Sequence, residues 1–274
     1  MKRRIFGVMI PPMLITREHG SWAVLVVPML VNVYVAGRWS GDFVLVVLVI
    51  LGAFLAYVPA QVFLRHHSGV RHPVDKLSQA RFWGMVYAGV AICAGVVLLA
   101  EGYIFLLAIG GAGAMLFYAN FYCVKHYSKM AATDLLAVAG LTLGGLSVYY
   151  VLTGSLDRTA FALYVLNFLF FGCSVFYVHM KIQFSASKRS AMKWREKLIF
   201  GKSNLLYFAA LVVIVGVLSA FRLISFVVLI AFLPMIGHGV YGTVKLSHKV
   251  HFKKLGFILL GQSILFGSLL CCFM

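Results

Sequence analysis

Nine runs of mostly apolar residues follow one another along the chain, separated by short polar segments. They cover residues 20–37, 42–64, 82–100, 102–122, 132–153, 159–180, 203–221, 223–244 and 255–273. A helix that crosses a bilayer needs about 20 such residues. Each run has that length, and this limits what the chain can become. Backbone N–H and C=O groups left unpaired in lipid are costly, so only helices and closed barrels span a membrane. Barrel strands alternate apolar and polar residues over about ten positions. These runs are continuous, so the spacing predicts helices. The expected fold is an all-α integral membrane protein of about nine transmembrane helices. We expect one polytopic domain over residues 1–274, with residues 1–19 as a cytoplasmic N-terminal arm.

Composition agrees. The chain is 62% hydrophobic and 11% charged, where a soluble domain carries about 25% charged residues. So little charge cannot coat a water-facing surface, and the surplus apolar area must meet lipid. The formal charge of +17 does not point to nucleic acid, because the basic residues sit in short loops and form no basic face on a soluble domain. Cys93, Cys123, Cys173, Cys271 and Cys272 show no CxxC spacing and read as small buried hydrophobes. No metal and no cofactor is expected. The aromatic share of 15% is absorbed by packing and interfacial belts.

Lysine and arginine fall almost entirely on one side of the predicted crossings. Only Arg38, Arg158 and Arg222 of the 24 lie on the other. The positive-inside rule makes the crowded side cytoplasmic, so nine crossings put the N-terminus inside and the C-terminus outside. Lys2-Arg3-Arg4 imitates the start of a signal peptide. Pro11-Pro12 interrupts the apolar stretch that follows, however, and no small-residue cleavage site comes after it.

Four polar clusters at the cytoplasmic ends are the candidates for function, since polar groups near the bilayer are expensive to keep. Arg17, Glu18 and His19 open the first run, with Trp22 as an interfacial anchor. Arg65, His66 and His67 close the second, and Arg71, His72 and Asp75 follow; these suit a phosphate or carboxylate. Adjacent histidines point apart on a helix, which disfavours a zinc site. Lys125, His126, Lys129 and Asp134 run into the fifth. Asp134 is expected to find a cationic partner, with Arg17 as the choice. Tyr177, His179, Lys181 and Gln183 close the sixth; Tyr177 with Lys181, and His179 with Gln183, are i,i+4 pairs that share a face. His238, in a run interrupted by Gly and Pro, is a weaker candidate. Gly110-Gly111, Gly144-Gly145 and the small residues around Gly95 predict close helix contacts.

Two resemblances follow from these residues. Arg17-Glu18-His19-Gly20-Ser21-Trp22-Ala23 resembles the Arg-Glu-His-Gly-Ala-Trp-Ala opening of the YwiC-like family of bacterial membrane proteins. Ser174 to Ile182 resembles that family's Ser-Val-Leu-Tyr-Val-Lys-x-x-Ile segment, and Asp134 falls where an acidic residue is usual. The resemblance extends over most of the chain and implies a bacterial inner-membrane protein of undefined biochemical role. More distantly, the helix layout is similar to the UbiA-type prenyltransferases, whose Asp-rich loops hold Mg²⁺. Here Arg65-His66-His67 and His179-Met180-Lys181 stand in those loops, so a UbiA-like bundle is expected without the metal seat.

The leading expectation is therefore a cytoplasm-facing cationic cavity for an anionic or lipid-like ligand. Its residues would be Arg17, Glu18, His19, Arg65, His66, Lys125, Asp134, Tyr177, His179 and Lys181. Expected partners are membrane lipids and an isoprenoid, quinone or other amphipathic anion, with no nucleic acid. Two alternatives stand beside it. One is an Mg²⁺-independent prenyl or related transferase. The other is a transporter using Glu18, Asp134 and His179 as a proton or ion relay. Haem ligation by facing histidines is weaker still.

Overall fold

The computed structural model describes residues 3–5, 8–16, 19–69, 73–127, 130–187, 193–246 and 250–274. A short antiparallel hairpin of β1 (Arg3–Ile5) and β2 (Val8–Ile10) comes first. Ten α-helices follow: α1 (His19–Ala36), α2 (Asp42–His67), α3 (Val74–Ala100), α4 (Phe105–Tyr127), α5 (Ala131–Thr153), α6 (Arg158–Ala186), α7 (Trp194–Phe200), α8 (Lys202–Ala220), α9 (Leu229–Val244) and α10 (Phe252–Phe273). A 3-10 turn, Phe226–Val228, leads into α9.

Every expected run is matched by one helix. Eight helical segments, from α2 to α6 and from α8 to α10, are long and apolar enough to cross a membrane, and α1 is a shorter apolar helix. The protein is thus an all-α, multi-pass membrane protein. Large side chains such as Ile92, Leu107, Met115 and Val213 are more than 60% exposed. Such a surface is stable only against lipid. Cys173 is buried as expected, whereas Cys93 and Cys272 are exposed. A thiol is apolar enough to face hydrocarbon, so membership in an apolar run does not by itself bury a cysteine.

The chain divides into two compact units. The first contains the hairpin, α2, α3 and the start of α4. Here the indole Nε1 of Trp83 donates to Pro11 O at 3.1 Å, Gln79 donates to Pro12 O, and Trp83 stacks on Tyr87 with ring centroids 5.3 Å apart. These side chains of α3 fix the segment that follows the hairpin. Between α3 and α4, the Tyr103 hydroxyl donates to Asp42 Oδ2 at 2.7 Å.

The second unit contains α1, most of α4 and α5 to α10. Its centre is α5 and α6, about half buried along their apolar windows (50% and 56%), while α4 is only 11% buried. Phe170 of α6, Phe232 of α9 and Phe266 of α10 are each at most 1% exposed. The Phe170 and Phe266 rings stack at 4.0 Å, an arrangement that adds about 0.5–1.5 kcal/mol beyond simple burial.

Helix α1 lies against α5 at Gly145, where a Cβ would stand 2.9 Å from Pro28 Cβ and from Pro28 O. The expected close contact at Gly144-Gly145 is present. At Gly110-Gly111, nothing among the described residues lies within 4 Å of where their Cβ atoms would be. At Gly95 the contact with Val49 is an ordinary one, at 3.8 Å.

Helix α6 is the longest, with 29 residues. At 1.5 Å per residue it measures about 44 Å, against about 30 Å of hydrocarbon. The excess length can be taken up by tilt or by turns beyond the apolar layer. Asp157 caps its start by accepting from Ala160 N at 2.9 Å. The short helix α7 carries Trp194 and Ile199 exposed beside Lys193, Arg195 and Lys197.

Candidate functional site

One group of hydrogen-bonded polar side chains in the second unit joins α6, α9 and α10. Tyr177 and Lys181 are one helical turn apart on α6, and both are buried, at 2% and 8% exposed. Lys181 Nζ donates to Gly242 O at 2.8 Å and lies 5.4 Å from the centroid of the Tyr177 ring. The contact depends on Gly242: a Cβ there would stand 2.6 Å from Tyr177 Cε2 and 2.8 Å from Cζ. The bare backbone lets the phenol lie flat on α9 and lets the lysine reach a main-chain carbonyl.

That carbonyl is neutral, and among the described residues no carboxylate pairs with the lysine. The chain has seven Asp and Glu residues. Among the described residues the one ion pair is His179 with Asp134. A buried cation without a carboxylate is costly unless another anion meets it.

The phenol continues into a hydrogen-bonded chain. Tyr177 Oη lies 3.3 Å from His238 Nε2, and His238 Nδ1 lies 3.2 Å from Gln262 Oε1. Gln262 Nε2 donates to Pro234 O at 3.2 Å, which turns the amide oxygen toward the imidazole. His238 Nδ1 must then carry a proton, and in the neutral ring Nε2 accepts from Tyr177. On the α8 side, Asn204 Nδ2 donates to Thr243 Oγ1 at 3.2 Å, and Thr243 Oγ1 donates to Gly239 O at 2.8 Å. The core histidine is thus a junction of three helices.

Tyr177 and Lys181 form one wall of an open cavity of about 190 Å³. Val250, His251, Lys254, Leu255 and Ile258 form the other. His251, Lys254, Leu255 and Ile258 follow the i, i+3, i+4, i+7 spacing of a single helix face. The cavity is thus lined by cationic side chains at the start of α10 and on α6, and by Leu255 and Ile258 further along α10.

Asp134, in the first turn of α5, accepts or shares a proton with His179 Nε2 at 2.8 Å. Their side chains are 33% and 17% exposed, so the pair is only partly shielded from its surroundings. The partner expected for Asp134 was Arg17, which lies outside the described residues together with Glu18. His19 opens α1, but its side chain is also outside them. Lys125 is exposed near the end of α4, and Gln183 is exposed on α6. Arg65 and His66 are exposed in the last turn of α2, in the first unit. Among the described residues, no group of three or more His, Cys, Asp or Glu side chains is arranged to hold a metal ion.

Sequence reasoning gave little weight to His238 and none to Gln262, His251 or Lys254 as site residues. The helical spacing from His251 to Ile258 was a readable signal. The burial of Gln262 beside a histidine on another helix was not.

A family model described as YwiC-like protein matches residues 15–149. The match takes in the Arg17–Trp22 opening and Asp134, and it ends before the Ser174–Ile182 stretch and before both cavity walls. The resemblance is narrower than the whole-chain extent expected from the sequence. No curated protein matches the chain, and no solved structure does.

Proposed function

We propose, for a multi-pass membrane protein whose residues 15–149 match the YwiC-like family model, that the cavity beside Lys181 binds an anionic or lipid-like ligand. One observation carries the reading: Lys181 is 8% exposed and donates to a carbonyl, with no carboxylate paired to it among the described residues. A bound anion would supply the missing charge through charge-assisted hydrogen bonds, which are about twice as strong as neutral ones. The cationic side chains of the cavity suit the head of such a molecule, and Leu255 and Ile258 suit its chain. The lysine and arginine distribution supports a cytoplasm-facing cavity in a bacterial inner membrane, with the N-terminus inside and the C-terminus outside.

The test is mass spectrometry of small molecules that copurify with the protein in mild detergent. Wild type is compared with Lys181→Met and Lys254→Ala. An amphipathic anion retained by wild type and depleted in both variants supports the reading. Equal retention in all three overturns it.

The Asp134–His179 pair supports a second reading, an ion relay, because a carboxylate and an imidazole in contact near a membrane interface can exchange a proton. Proton flux into protein-loaded vesicles tests it. Flux unchanged by Asp134→Asn removes it.

A further inference from the structure

We infer that the ligand of the Lys181 cavity is a lipid ending in a multiply charged phosphate, with its hydrocarbon chain left in the bilayer against α10; this rests on the anion-binding reading above. Size is the first argument. Sites that enclose a whole small molecule measure about 300–1,000 Å³. The cavity is about 190 Å³, which holds a headgroup and leaves a long chain outside.

Charge is the second argument. Lys181 and Lys254 converge on the cavity with His251. His251 and Lys254 place the start of α10 on this space, and its first turn carries no acidic residue to offset the positive dipole end. Lys181, more than nine-tenths buried, lines that space beside the helix end. A carboxylate brings one charge and two oxygens. A terminal phosphate brings up to two charges and three oxygens, and so matches two lysines.

Direction is the third argument. Leu255 and Ile258 lie one turn further along α10 than His251 and Lys254, and Ile258 and Leu265, seven residues apart on one face, are exposed apolar side chains. A headgroup held at the start of the helix places its chain along this surface. A water-soluble phosphate would make no use of it.

The experiment uses the full-length protein in maltoside detergent and native mass spectrometry. The probes are dioleoyl phosphatidic acid, dioleoyl phosphatidylcholine and inorganic phosphate. The inference expects phosphatidic acid to bind about tenfold more tightly than phosphatidylcholine. It expects Lys254→Ala, an exposed position that leaves the fold intact, to remove most of that preference. It also expects millimolar inorganic phosphate to leave the bound lipid in place. Displacement by inorganic phosphate overturns the lipid inference and leaves the anion reading standing. Equal binding of the two lipids, with no phosphate bound, overturns both. Preference unchanged in Lys254→Ala moves the lipid to another surface and overturns the site. A melting curve for each variant separates loss of binding from loss of fold.

Discussion

Tyr177 on α6 and His238 on α9 are joined at 3.3 Å, and the far nitrogen of the same imidazole meets Gln262 on α10. One histidine thus ties the cavity wall to two other helices. Hydrogen bonds between membrane helices are worth about 0.6 kcal/mol each and at most about 1.7. Tyr177→Phe and His238→Ala are each expected to lower stability within that range. The double variant should cost less than the sum of the two. A double-mutant cycle from unfolding in mixed micelles reads the coupling, and strict additivity would contradict the bond.

Gly242 should be intolerant of any side chain. An alanine Cβ there meets the Tyr177 ring, and overpacking of this kind costs about 1–3 kcal/mol. Gly237, on the same helix, has nothing within 4 Å of its Cβ direction. Gly237→Ala should be neutral or gain up to about 1 kcal/mol from helix propensity. Opposite shifts in melting temperature for the two alanines are the expected outcome.

The Asp134–His179 pair should be detectable as a unit. Asp134→Asn and His179→Gln are each expected to destabilise by about 1 kcal/mol, discounted for exposure. The double variant should be no worse than either single one. A double variant that loses twice as much would mean that the two side chains act separately.

Glu101, in the turn between α3 and α4, has its carboxyl held above the ordinary range, first by partial withdrawal from water and then by the nearby Asp42 carboxylate. A carboxyl raised in the folded state binds its proton more readily there than in the unfolded chain. Its contribution to stability is therefore present at low pH and is lost as pH rises through the folded value. Glu101→Gln should melt higher than wild type at about pH 8, and the difference should close below about pH 4. A pH-independent difference would contradict this origin.

The helices were legible because hydrocarbon imposes a length and leaves the backbone no alternative. Their ends were less so. Helix α3 begins at Val74, well before its apolar run, because Pro73 sets its start and Asp75, Lys76, Gln79 and Arg81 continue the helix outside the lipid-like segment. Helix α7, with 7 residues, is too short to leave a hydropathy signal.

Within the site, the shared face of Tyr177 and Lys181 followed from their spacing. The partners on α9 and α10 did not, since no local pattern states which helices become neighbours. The two glycine pairs make the same point. Gly145 meets α1, while Gly110 and Gly111 meet nothing among the described residues, and the dipeptide reads alike in both places. Asp134 and His179 are 45 residues apart. Need for a partner was readable from the carboxylate, but its identity was a property of the packed bundle.

The length of α6 has a consequence for regulation. A rod of about 44 Å anchored in a layer of about 30 Å acts as a thickness gauge. Lys181 sits near its C-terminal end, five residues before Ala186. A change of bilayer thickness changes the tilt of such a helix and with it the depth at which its ends sit. Mismatch costs only fractions of a kcal/mol per Å, so membranes of different acyl length should set different occupancies of the cavity without any change in the protein itself.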